Sequence, residues 1–194
     1  MKVGSLEHHY VTMAYNNAWA NHRLLAAIVA LPSEAFTAPR TGFFPALKGT
    51  LNHILTVDWY YVDALEHAFR GLPVNPEGRA FFDPEEPFAD AASLRVAQRD
   101  VDQRLIDLCL ELDAETLAMP VGILRDTIVH ETGARVLAHL FEHQIHHRGQ
   151  AHAMLSGTQV MPPQLDEFFC AGDAELRAKD FAELGFSEAA IWGP

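Results

Sequence analysis

Four long stretches of this chain repeat their apolar residues at intervals of three and four, the period that stacks side chains along one face of a helix. The first spans about Ser5 to Leu31, with Tyr10, Ala14, Asn17, Ala18, Asn21, Leu25 and Ile28 on one line and Pro32 as its stop. A second follows Pro45, carries Leu51, Ile54, Leu55, Tyr61, Val62 and Leu65, and should end near Gly71. Leu94, Ala97, Val101, Leu105, Leu108 and Leu112 form the inner line of a third. The fourth runs from about Thr132 to Leu155 and ends at Ser156-Gly157, a good helix stop. Helices of roughly 20 residues are about 30 Å long, and four amphipathic ones can bury their apolar faces only against each other. The pattern therefore predicts an all-α fold, a four-helix bundle.

The connections are long. Residues 32–45 and 71–89 are rich in Pro, Gly and Phe, enough chain to cross the end of a bundle, so simple up-and-down order is not required. Residues 113–131 hold an apolar run (Val121, Ile123, Leu124, Ile128, Val129) that suits a short hairpin or an extended loop. After Met161 a Pro-Pro break precedes a short C-terminal helix around Asp173 to Leu184. No stretch reads as an interdomain linker and no internal repeat is visible, so one domain over residues 1–194 is expected, with its core in about 5–170.

A formal charge of −12, from 26 acidic and 14 basic side chains, repels a phosphate backbone, and no Lys/Arg-rich run reverses it locally. Nucleic acid is not an expected partner. No apolar run reaches the roughly 18 residues of a membrane span, and Met1 to Tyr10 is too polar for a secretory signal, so no membrane association and a cytoplasmic location are expected. Cys109 and Cys170 have no metal-type spacing, and two cysteines do not suggest a disulfide framework.

Histidine departs from this ordinary profile. Of eleven, five (His139, His143, His146, His147, His152) fall within fourteen residues. His143 and His147 are four apart, about 6 Å on one helix face, and lie in the stripe of Val136, Leu140, Ala151 and Met154. Two imidazoles buried without partners cost roughly 1 to 3 kcal/mol each, a penalty that a metal ion removes by taking both lone pairs and that hydrogen bonding to core oxygens would also remove. A third ligand must come from another helix. His53 is a candidate, but it lies off the strongest apolar line of its helix, and periodicity does not choose it over His22. His139 and His146 sit on the flank of the fourth helix, at a pocket rim or in solvent. His152 points outward, and His8, His9, His67 and His130 fall near helix ends or loops, where surface is the default. Asn17, Asn21, Asp58, Gln144 and Gln150 are polar on inner or flanking lines; such groups tie helices together or orient metal-bound imidazoles or substrate. The stretch His143-Gln144-Ile145-His146-His147 has the spacing of a zinc-protease helix but carries Gln where the general-base Glu belongs.

The segments Tyr15-Asn16-Asn17-Ala18-Trp19-Ala20-Asn21-His22-Arg23-Leu24-Leu25, Phe43-Phe44-Pro45 with Thr50-Leu51-Asn52-His53-Ile54-Leu55, His143 through His152, and Pro162-Pro163-Gln164-Leu165-Asp166 together resemble the DinB/YfiT-like family, over most of residues 5–170. The resemblance implies a four-helix bundle that commonly forms homodimers. It also implies a metal triad at His53, His143 and His147, holding zinc, nickel or a similar divalent ion such as iron, cobalt or manganese. It decides for His53 over His22. Family members are implicated in transfer or isomerisation with low-molecular-weight thiols. The expected function is thus a metal-dependent enzyme that activates water or such a thiol toward a small-molecule substrate, as an S-transferase or hydrolase. The alternatives are a non-catalytic, stress-related metal-binding dimer and a bundle whose histidines hold no metal. Pocket or supporting roles would fall to Asn17, Asn21, Asp58, Gln144, His146 and Gln150.

Overall fold

A computed structural model describes residues 2–193. Its four long helices are α1 (Leu6–Val29), α3 (Leu47–Phe69), α4 (Ala91–Leu110) and α6 (Gly133–Ser156); between the first two lies the short α2 (Ser33–Thr37). The short α5 (Ala114–Ala118) and a hairpin of β1 (Pro120–Leu124) and β2 (Ile128–Thr132) fill residues 113–132, and α7 (Ala174–Leu184) and α8 (Glu188–Trp192) form the tail. The fold is an all-α four-helix bundle with long connections. No helix among the described residues is long and apolar enough to cross a membrane.

Local chemistry sets most helix ends. Ser5, Asp90 and Thr132 each accept a backbone N–H of the first turn of α1, α4 and α6, giving an otherwise unpaired donor an acceptor. Gly71, just beyond α3, has φ +66°, a conformation that favours glycine and reverses the chain there. The sequence period placed Leu112 on the third long helix; it is buried, but α4 stops at Leu110 and Asp113 opens α5 with a capping box.

Around the bundle, α1 packs on α4, α4 on α3, α3 on α6 and α6 on α1. The connections α1 to α3 and α4 to α6 therefore cross the diagonal, and only α3 to α4 joins neighbours. Leu24, Ile28, Leu47, Leu55, Leu65, Leu94, Leu105 and Leu140 fill the centre at 0–2% exposure. The hairpin pairs Val121 with Glu131 and Ile123 with Val129; Val121 and Ile123 face the bundle, whereas all of β2 is exposed, because only β1 has the core behind it. A second cluster of Trp19, Ala20, Phe168, Phe181 and Ile191 lies beneath the tail on the outer side of α1. The helix α8 was not foreseen from sequence.

Candidate metal centre

His53 projects from α3, and His143 and His147 from successive turns of α6, the helix packed against it. One nitrogen of each ring lies within 4.8 Å of the others. Ring centroids are 4.9 Å apart for His53 and His143, 4.6 Å for His53 and His147, and 4.5 Å for His143 and His147. Nε2 of His53 and Nε2 of His143 face each other at 3.0 Å. Two imidazoles on one tetrahedral ion, with bonds of about 2.0–2.1 Å, place their nitrogens about 3.3 Å apart, so the observed spacing fits a shared cation.

The tautomers agree. Gln150 Oε1 can only accept, so His147 Nδ1 donates its proton across 2.9 Å and leaves its Nε2 lone pair free. The amide N–H of Gln150 is in turn given to His146 Nε2 at 3.1 Å. His143 Nδ1 is buried without a partner, so Nε2, aimed at His53, makes that ring's only polar contact. Burial pushes His53 down to about 4 and His143 down to about 3, with the neighbouring His147 adding to both; burial also lowers His147. All three rings are thus neutral near pH 7 with lone pairs available, the state a divalent ion requires. The residues fit the ion that the family implies.

An aromatic ring packs on the triad, and a pocket opens beside it. The Phe44 ring lies 4.5 Å from His53 and 5.7 Å from His147. The pocket, of about 740 Å³, has walls of Val57, Tyr60, Tyr61, Phe82 and Leu124. Phe43, His139 and His146 stand around it, all exposed, and Arg125 at the hairpin tip donates to the Tyr61 hydroxyl at 3.1 Å. No Asp, Glu or Cys joins the three histidines as a further ligand among the described residues.

Of the six supporting residues expected from sequence, Gln150 alone hydrogen-bonds a triad ring, and His146 lines the pocket with its ring 4.8 Å from that of His147. Asn17, Asn21, Asp58 and Gln144 belong instead to a buried network that ties the four helices together. Asp102 of α4 accepts from Asn17 (3.1 Å), Asn21 (3.0 Å) and Gln98 (3.1 Å). Gln98 also donates to Asp58 at 2.7 Å, Gln144 donates to the same Asp58 oxygen, and Arg148 of α6 donates to Asn17 (2.7 Å) and Asn21 (2.9 Å). Gln98, Asp102 and Arg148 were not singled out from sequence. Gln98 and Asp102 carried a signal, because they interrupt the stripe of Leu94, Val101 and Leu105 at helical spacing.

His9 and His130 are exposed, as expected, whereas His8 and His152 make polar contacts that a surface default does not suggest. His22 bonds Glu183 in the tail at 3.1 Å and is not part of the triad, His8 Nε2 meets the Ile191 carbonyl at 3.0 Å, and His152 Nε2 meets the Pro163 carbonyl at 2.9 Å. His152 is thus half-buried under the post-helix segment rather than free in solvent, because Pro162-Pro163 folds back over α6. Cys109 is buried and Cys170 exposed, and both are free thiols.

A search among curated proteins returned no match. The sequence model of the DinB family matches residues 4–175, most of the chain.

Proposed function

The chain belongs to the DinB family, and from that premise and its three converging imidazoles we propose that it is a metal-dependent enzyme acting on a small molecule. The observation that carries this reading is the asymmetry of the centre: three neutral histidines on one side and an open pocket of about 740 Å³ on the other. Three protein ligands with an accessible remaining position is the catalytic arrangement, whereas structural sites close with a fourth. His53, His143 and His147 would hold a divalent ion, zinc or nickel in our reading, which would supply the Lewis acidity to acidify a water or a low-molecular-weight thiol for attack on an electrophile.

The chain's own residues do the rest. Gln150 locks the His147 tautomer and ring orientation, Phe44 packs on the triad, and the Tyr60, Phe82 and Leu124 wall receives an apolar substrate body. His139 and His146 stand at the rim, open to solvent, and are placed to pass a proton between pocket and bulk.

Elemental analysis of protein purified without a histidine tag tests the first half: one divalent ion per chain is expected, lost in His53→Ala, His143→Ala and His147→Ala. Metal-loaded protein should then turn over either a thiol with an activated aryl halide or an activated ester. Stoichiometric metal with no turnover of either class would remove the catalytic reading; no metal would remove the centre itself.

A further inference from the structure

A second cavity, of about 330 Å³, lies between α1, α4 and the tail. Its lining shares no residue with the metal pocket. Ala18 and Leu25 of α1 and Ile106 of α4 wall it on the bundle side, and Leu184 and Phe186 close it from the tail. Those two tail residues, Leu184 and Phe186, fall outside the 4–175 family match.

Its charge runs against that of the whole molecule. The chain carries −12, and Arg23, Arg104, Arg135 and Arg177 each hold a carboxylate. Arg95 and Arg99, one turn apart on α4, have no carboxylate partner among the described residues, and both line this cavity. Arg95 gives one N–H to His22 Nδ1 at 3.4 Å, and His22 passes its Nε2–H to Glu183 at 3.1 Å. Glu183 is hydrogen-bonded to His22, with Lys179 at 3.7 Å, and makes no direct ion pair with either guanidinium. At the floor, the Asp102 oxygens are taken up by amide N–H groups of Asn17, Asn21 and Gln98.

We propose that this cavity is a second ligand site, which takes a small molecule with an apolar body and a carboxylate head. Its volume is that of a small-molecule pocket, too small to seat a partner's helix. The apolar walls receive the body, and the two guanidiniums at the mouth match a planar carboxylate in geometry as well as charge. The site needs no metal, so it stands or falls separately from the function proposed above.

Calorimetric titration of the full chain, stripped with EDTA, with octanoate and with octan-1-ol tests this. Octanoate should bind saturably, one per chain, and octan-1-ol at least ten-fold more weakly. Arg95→Gln with Arg99→Gln should bring octanoate down to the level of the alcohol. Ala92→Trp, an exposed position on the cavity lining, should abolish binding of both while metal stoichiometry and melting temperature stay as in the parent. His53→Ala should leave octanoate binding unchanged. No saturable binding, parity between acid and alcohol, or binding that survives Ala92→Trp would each overturn the proposal.

Discussion

Gln150 reaches the metal centre through one contact, the proton it accepts from His147 Nδ1. Leucine there keeps the bulk of the side chain and removes the acceptor, so the ring loses its orientation and some basicity; Gln150→Leu should weaken metal binding about 10- to 100-fold. Competition against a chromophoric chelator measures this, and an unchanged constant would mean that the contact is incidental. Asp58 shows a different residue-level effect. It is fully buried, with one oxygen unpartnered and Gln144 Oε1 beside it also unpartnered, and burial, reinforced by Asp102, pushes it up to about 8. Asp102 is raised to about 6 by the same desolvation. An acid raised on folding contributes stability that is complete below its unfolded value near 3.8 and is lost as pH rises through its folded value. Relative to Asp58→Asn, the parent should therefore lose stability between about pH 4 and pH 8, by at most about 1.4 kcal/mol per pH unit. Urea unfolding of both proteins at pH 5, 6.5 and 8 should show the gap closing or reversing with pH; a constant gap would place the proton elsewhere. His143 and His147 were legible because residues four apart on an apolar stripe must either pair with something or be exposed. His53 was not legible from periodicity, since it is half-buried at the edge of the core, and only family resemblance separated it from His22. Arg148 stayed hidden because a basic residue beside a ligand histidine reads as solvent-facing until its amide partners on α1 are seen.

The first, second and fourth long helices were legible because each carries an apolar face and a stop signal, and their ends shifted by only a residue or two; the third showed its inner line without a stop. Residues 113–131 resisted for a physical reason: the run is too short for either period to dominate, and two of its five apolar residues end up exposed, Ile128 at 48% and Val129 at 39%. Pairing, which sequence does not display, decides that segment. The hairpin hands over directly to α6 through Gly133, whose N–H bonds the Met119 carbonyl at 2.9 Å. A Cβ at 133 would stand 2.5 Å from the Thr116 carbonyl oxygen, a backbone atom of α5 that cannot rotate away. Gly133→Ala should consequently destabilise the protein by about 1–3 kcal/mol, although alanine is the better helix former. Chemical denaturation checks the sign: a neutral or stabilising alanine would mean that α5 slides freely against the start of α6.

At the scale of the molecule, one guanidinium fastens the tail to the bundle and a second braces the tail itself. Arg23 of α1 holds Asp180 at 2.6 Å, Glu167 at 2.7 Å and the Leu176 carbonyl at 2.6 Å, with its guanidinium 4.4 Å above the Trp19 ring. Arg177 works inside the tail: its side chain is 1% exposed, grips both oxygens of Glu188, and donates to the Glu167 and Cys170 carbonyls. Removing it strands those two carbonyls and uncouples α7 from α8, a loss of about 2 to 4 kcal/mol. That loss falls on the cluster of Trp19, Phe168, Phe181 and Ile191, not on the main core in which α3 and α6 meet. Arg177→Ala should therefore separate the two halves of the protein's chemistry. Amides of α7 and α8 should exchange with solvent markedly faster while those of α3 and α6 keep their protection, and one divalent ion per chain should still bind. Because Leu184 and Phe186 wall the second cavity, octanoate binding should weaken in the same variant. Faster exchange spread evenly over all helices would show that the tail is cooperative with the bundle, and that the metal centre depends on it.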